Sequence, residues 1–236
     1  MQAVLLAGGR GTRLLPYTKI LPKPLFSVGG QALAKTLVMQ LKNAGVDEIV
    51  ICLGYLSELI TAFFGDGTEY GLKIRYSCES IPLGTAGPLT NVTGLAENFL
   101  VVNADEFTNL DFSDLFACHQ SEGAAMTIAV QKKPVKLKLG VVDIQKNGQV
   151  YGYAEKPTIN FWVSMGMYVL NRRVVDMIPR QVKIDIPDLV KSLLDRQEKI
   201  VSYVSDDLWI DIGTLEDLRK AREIASSLSL EQLRLK

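Results

Sequence analysis

The chain has 236 residues, 47% of them hydrophobic and 22% charged, which is enough apolar content for a buried core and excludes a disordered chain. Lys and Arg number 26 against 26 Asp and Glu, so no global charge draws the chain to nucleic acid or to an anionic membrane. No apolar run reaches the roughly 18 residues of a membrane span, the start turns to glycine too early for a signal peptide, and Cys52, Cys78 and Cys118 fit neither a disulfide framework nor a metal knuckle. The expectation is a cytoplasmic enzyme or binding protein with reduced, buried thiols and no nucleic-acid or membrane partner.

Short apolar runs at 3–7, 48–53, 72–77, 98–102 and 125–130 alternate with segments at 32–44, 56–64, 85–92 and 111–122 whose apolar residues recur at helical spacing. That alternation predicts an α/β fold, a Rossmann-like and mostly parallel sheet flanked by helices and buried on both faces. Beyond 130 the pattern changes to strands at 139–144, 150–155 and 163–170 with a Lys146-Asn147-Gly148 turn, predicting a smaller antiparallel lobe. A helix over 188–196, a strand at 200–204, a helix from 214 to about 225 and a helical tail over 227–236 follow. With no repeat and no linker, residues 1–236 read as one domain.

Leu6-Ala7-Gly8-Gly9-Arg10-Gly11-Thr12-Arg13-Leu14 directly follows the first predicted strand. Its glycines permit a tight turn whose N–H groups point at an anion. The third glycine of a dinucleotide fingerprint is replaced by Leu14, and the Gly-Lys-Ser/Thr of a Walker A loop is missing. Arg10, Arg13, Lys19, Lys23, Lys35 and Lys42 all precede the first acidic residue, Asp47, so this stretch carries six positive charges and the remainder a net six negative. Lys35 and Lys42 fall on the first predicted helix and read as a solvated face. Arg13 and Lys23 lie among Gly, Pro and Thr in a long loop, where cations over glycine amides suit a polyphosphate.

The run from Gly8 to Leu25, GGRGTRLLPYTKILPKPL, closely resembles the signature of the sugar-phosphate nucleotidyltransferases, the NDP-sugar pyrophosphorylases. The resemblance continues at Leu83-Gly-Thr-Ala-Gly-Pro-Leu89, Asn103-Ala-Asp105, Glu155-Lys-Pro157, Met165-Gly-Met-Tyr168 and Trp209-Ile-Asp-Ile-Gly-Thr-Leu-Glu-Asp217, and so spans nearly the whole chain. It implies a nucleotide-binding part at about 1–130, a sugar-binding lobe at about 131–213 and a C-terminal helix at about 214–236. It also implies a reaction in which a sugar 1-phosphate attacks the α-phosphorus of a nucleoside triphosphate and pyrophosphate leaves. Two polyanions meet, so fixed cations and a metal must hold the transition-state charge. Residue by residue, the resemblance makes Arg13 and Lys23 the phosphate cations and Asp105 and Asp211 the Mg²⁺ ligands, a cation that usually takes one or two carboxylates. Leu6, Ala7, Gly8, Gly9, Gly11, Thr12, Glu79, Pro82, Gly84 and Thr85 are the expected nucleotide site, and Asn103, Gly140, Glu155, Lys156 and Ser164 the sugar-phosphate site.

Three departures stand out. Ala104 replaces the glycine that usually precedes the metal aspartate, with Glu106 after it, and Val163-Ser164-Met165-Gly-Met-Tyr168 replaces Asn-Ala-Gly-Ile-Tyr. Glu79 stands where thymidylyl- and uridylyl-transferring relatives commonly have Gln. A carboxylate only accepts hydrogen bonds, which suits the adjacent N1–H and 2-amino group of guanine. The Pro-Leu-Gly-Thr-Ala-Gly run at 82–87 leans towards mannose- and heptose-1-phosphate guanylyltransferases, so GTP is the expected donor. Uridylyl, thymidylyl or cytidylyl transfer is the alternative. A non-catalytic sensor of nucleotide sugars is a rival that the retained Arg13, Lys23, Asp105, Lys156 and Asp211 argue against. No hexapeptide-repeat β-helix is expected after the catalytic domain, and a homodimer is an open assembly. The single histidine, His119, reads as solvent-exposed, and Tyr153 and Trp162 as packing or sugar-stacking aromatics.

Overall fold

Gln2–Ala7 is apolar on both sides of an extended chain and forms β1, with Ala3, Leu5 and Ala7 packed on one face of the sheet and Val4 on the other. The structure, a computed structural model, describes residues 1–235. After β1 the strands are β2 (Ser27–Val28), β3 (Gln31–Ala32), β4 (Glu48–Leu53), β5 (Lys73–Cys78), β6 (Asn98–Asn103), β7 (Glu106–Thr108), β8 (Met126–Lys136), β9 (Val141–Ile144), β10 (Val150–Ala154), β11 (Thr158–Asn171), β12 (Ile200–Val204) and β13 (Trp209–Asp211). The helices are α1 (Leu33–Asn43), α2 (Ser57–Phe64), α3 (Phe112–Glu122), α4 (Ile186–Asp195) and α5 (Leu215–Ser227).

Seven strands form the main sheet in the order β12-β8-β11-β6-β1-β4-β5. All neighbours are parallel except β11, which runs antiparallel to both β6 and β8. Residues of α1, α2 and α3 cover one face, while α4 covers the other. A third cluster joins α5 to Leu14, Phe26, Val28, Phe107 and Ile210 beneath the glycine-rich loop. The expected α/β architecture with its small antiparallel element is therefore present.

β8 and β11 continue past the main sheet as a ribbon that pairs as far as Thr158 with Lys136, and β9 and β10 form a separate two-stranded sheet. A register shift between Ser164 and Tyr168 marks where β11 enters the main sheet. The second half of the run at 163–170, from Met167 to Leu170, thus lies beside β6 in the main sheet, while Val163 and Ser164 pair with β8.

Four expectations are corrected. Residues 85–92 form no α-helix but a 3-10 turn at Gly87–Asn91, in which Leu89 N bonds to Ala86 O at 3.1 Å and Val92 N to Leu89 O at 3.2 Å, three residues back rather than four, while the amides of Ala86 and Gly87 bond to Ile184 O at 2.9 and 3.0 Å. The tail beyond Ser227 forms turns, held by Gln40 Nε2 on Leu233 O at 2.8 Å and by Arg234 on Asp111 at 2.6 Å; Lys236 lies outside the described residues. His119 is buried, with Nδ1 2.8 Å from Thr127 Oγ1 and Nε2 3.1 Å from Asn98 Oδ1, and its desolvation lowers its pKa. Of the cysteines only Cys52 is buried, its thiol pushed up to about 12 chiefly by desolvation, whereas Cys78 at the end of β5 is exposed and Cys118 half-buried. Among the described residues no helix is long and apolar enough to cross a membrane.

Candidate functional site

β1 and β6 lie side by side, yet the chain leaves β1 for β4 on one side and returns to β6 on the other. At such a switch point the connections diverge and open a crevice beyond the carboxyl ends of the strands. The loop after β1 enters it through 3-10 turns at Thr12–Leu14, Tyr17–Lys19 and Lys23–Leu25, with Gly11 left-handed at φ 59° and Thr18 Oγ1 donating to Gly11 O at 3.0 Å.

Leu6, Gly8, Gly9, Glu79, Pro82, Gly84, Thr85, Asn103 and Asp105 all line one cleft of about 530 Å³. Ala7 is buried at the end of β1, and Thr12 is exposed farther along the loop. Glu79 Oε2 accepts from Leu83 N at 2.9 Å, while Oε1 lies where a β-carbon on Gly54 or Gly8 would come within 2.9 or 3.1 Å. Gly84, at φ 81°, has room for no side chain, since a β-carbon would stand 2.5 Å from Ile184 O and 2.6 Å from Asp185 Oδ1. Asp185 Oδ1 accepts from Thr85 N at 3.0 Å, and Thr85 Oγ1 accepts from Ile186 N at 2.8 Å. The capping residue of α4 thereby clasps the 83–87 loop. Lys183 and Asp185, neither foreseen, belong to the cleft wall. The sequence places a helix at 188–196, but the contact of the Asp185 cap of α4 with Thr85, 100 residues away, has no local signature.

The second part of the site is built by a pair of three-residue strands. β7 and β13 pair antiparallel with Glu106 opposite Asp211, and Ile212 N bonds to Asp105 O at 3.2 Å. Carboxylate oxygens of Asp105, Glu106 and Asp211 come within 4.8 Å of one another. Lys23, its side chain only 8% exposed, bonds to Asp105 Oδ2 and stands 3.7 Å from Asp211 Oδ1. Glu106 is buried, accepting from Trp209 Nε1 at 2.7 Å and from Asn103 Nδ2 at 3.3 Å. Desolvation, then the charges of Asp105 and Asp211, push its carboxyl well above the usual range. Asp211 is also raised, by burial first and by Asp105 next, against the pull of Lys23 and Arg13. Three carboxyls, two of which share the Lys23 ammonium, form a hard oxygen donor set of the kind that suits Mg²⁺. Arg13 lies against Gly213, where a β-carbon would be 2.9 and 3.0 Å from its two Nη atoms. Ala104 is accommodated because it is buried in the core with its amide on Leu6 O at 3.0 Å.

A third group sits on the lobe. Tyr153 Oη donates to Glu155 Oε2 at 2.7 Å, Lys156 Nζ is 3.5 Å from Glu155 Oε1, and Gly140 lies beneath them. Lys156 holds a left-handed φ of 46°, uncommon for a residue with a β-carbon. Ser164 Oγ stands 3.0 Å from Tyr168 Oη and accepts from Gly166 N at 3.3 Å, in the bulge of β11.

The family model described as nucleotidyl transferase matches residues 2–227. A mannose-1-phosphate guanylyltransferase of Mycobacterium tuberculosis is 34% identical over 92% of this chain, and a UTP–glucose-1-phosphate uridylyltransferase of Synechocystis is 30% identical over 94%. The chain spans 62% of the length of each of these relatives. Among solved structures, HddC from Yersinia pseudotuberculosis superposes with a TM-score of 0.73 at 26% identity, covering 94% of this chain and 98% of that one, and has also been solved complexed with GMP-PN.

Proposed function

Since the chain belongs to the nucleotidyl transferase family, we propose that it joins a nucleoside monophosphate, taken from the triphosphate, to a sugar 1-phosphate and releases pyrophosphate. The observation that carries this reading is Lys23 held between Asp105 and Asp211 beside the cleft that the glycine-rich loop lines. A sugar-phosphate oxygen attacks the α-phosphorus, the bond to the β-phosphate oxygen breaks, and its electron pair leaves with pyrophosphate. The attacking phosphate is already ionised near neutral pH, so no general base is needed, and the buried His119 is not used.

Amides of Gly8 and Gly9 and the cations Arg13 and Lys23 receive the triphosphate. Asp105 and Asp211 would hold Mg²⁺, which when bound supplies further positive charge to the reacting phosphates. Lys156 neutralises the sugar phosphate, Glu155 accepts from sugar hydroxyls, and Asn103, Gly140 and Ser164 complete that side.

GTP is the donor and a mannose- or heptose-1-phosphate-like sugar the acceptor. Glu79 supports guanine, since Oε1 remains to accept from adjacent N–H groups while Leu83 N engages Oε2. The guanylyltransferase names among the relatives, and HddC with GMP-PN, point the same way. The uridylyltransferase relative keeps UTP as the competing donor. Pyrophosphate release over a matrix of nucleoside triphosphates and sugar 1-phosphates tests this. The largest kcat/KM is expected for GTP with a mannose- or heptose-type phosphate, and no release with any pair overturns the reading.

A further inference from the structure

Tyr153 and Glu155 stand two positions apart across the end of β10, and alternation puts their side chains on one face. Tyr153 is 66% exposed, so the protein buries little of its ring. Its hydroxyl nevertheless bonds to Glu155 Oε2 at 2.7 Å, and its ring end rests on the α-carbon of Gly140, just before β9. A β-carbon at Gly140 would collide with Tyr153 Oη, stand 2.8 Å from Cζ and come within 3.1 Å of Glu155 Oε2. The other oxygen, Oε1, faces Lys156 Nζ at 3.5 Å.

Exposed pairs of this kind are ordinarily weak, because water competes for both partners and the side chains give up rotamer freedom. Here the bare α-carbon of Gly140 serves as a floor that brings phenol and carboxylate together. The arrangement engages one carboxylate oxygen and leaves an open aromatic face beside it. Apolar ring faces next to oriented acceptors are what a pyranose needs, with C–H groups on one side and hydroxyls at its edge.

We propose that Tyr153 is a specificity-determining residue for the sugar. Its hydroxyl fixes the orientation of Glu155, and its ring over Gly140 forms one wall of the sugar subsite. The proposal rests on the reading of the protein as a sugar-1-phosphate nucleotidyltransferase. Glu155 then presents acceptor positions in a fixed direction, so an epimer with one hydroxyl inverted loses a hydrogen bond that the preferred sugar makes.

The test measures the wild type first, with several epimeric sugar 1-phosphates and a saturating nucleoside triphosphate. Turnover with none of them overturns the functional reading itself. With wild-type turnover established, Tyr153→Phe removes the hydroxyl alone and keeps the ring and the Gly140 clearance. The expected result is a rise of about five- to tenfold in KM for the preferred sugar 1-phosphate, with KM for the nucleotide within about twofold and a comparable loss of discrimination between epimers. Gly140→Ala displaces the phenol while retaining its hydroxyl, and the same pattern is expected. Thermal melts of both variants read folding separately. If both fold and keep the wild-type sugar KM and epimer ratio, or if nucleotide and sugar KM rise together, the proposal is wrong.

Discussion

Trp209 Nε1 donates to Glu106 Oε2 across 2.7 Å, tying the strand that ends in Asp211 to the residue that follows Asp105. Glu106 is 3% exposed, so this bond compensates a buried carboxyl. Trp209→Phe removes the donor but keeps an aromatic face for Lys133 Nζ, which stands 4.9 Å from the ring centroid. The expected cost is about 1–3 kcal/mol of stability, read as a lower urea midpoint at unchanged slope. A midpoint equal to the wild type would show that the bond does not hold the two strands.

Asp105 and Asp211 are the proposed metal ligands, and replacing a carboxylate by an amide removes charge from a site meant to hold transition-state charge. Asp105→Asn and Asp211→Asn are each expected to cost at least about a hundredfold in turnover while circular dichroism stays native. Near-normal turnover of either variant at limiting Mg²⁺ sinks the assignment.

Gly213 gives Arg13 its resting place, with the guanidinium where a β-carbon would intrude. The side chain has a flexible end and can yield, so Gly213→Ala is expected to fold and to swing Arg13 away from Asp211. About a tenfold fall in kcat/KM follows from misplacing one phosphate cation, measured against an unchanged melting temperature. Full activity would mean that Arg13 is not used where it lies.

Glu79 carries the preference for guanine in this reading. Glu79→Gln puts an amide where only an acceptor stood, and is expected to erode the preference for GTP over UTP by about 1–3 kcal/mol, the scale of a charged hydrogen bond. Competition assays with both nucleotides measure it. An unchanged ratio, or a wild type that prefers UTP, removes Glu79 from the base site.

Burial depresses the pKa of His119 below 6.5, keeping the folded ring neutral. As pH falls below 6.5 the unfolded chain takes up a proton that the folded chain refuses, so stability is lost through the window from 6.5 down to the depressed folded value and is flat below it. His119→Gln is expected to flatten that slope when unfolding free energy is measured across the window. An identical slope would show that the ring titrates normally in the fold.

The parallel strands and their helices were legible because short continuous apolar runs mark strands buried on both faces, and helical spacing of apolar residues records which face of a helix is buried. The glycine-rich loop and the strand-end Asp105 were legible for a different reason, since Gly8 to Leu25 and Asn103 to Asp105 are contiguous motifs that resemble those of the family. Residues 85–92 have helical spacing yet close as a 3-10 turn, its bonds reaching three residues back and its first amides held by the sequence-remote Ile184 O. His119 looked solvated until Asn98 and Thr127, on β6 and β8, proved to be its partners. Lys23 was expected to meet phosphate, yet its placement on Asp105, 82 residues away, depends on where β6 ends. Glu106 became a third carboxyl of the site only when β7 paired with β13. Periodicity along a chain reports which side of an element faces inward; which charges meet there depends on which strands become neighbours, and that is settled by packing the whole sheet.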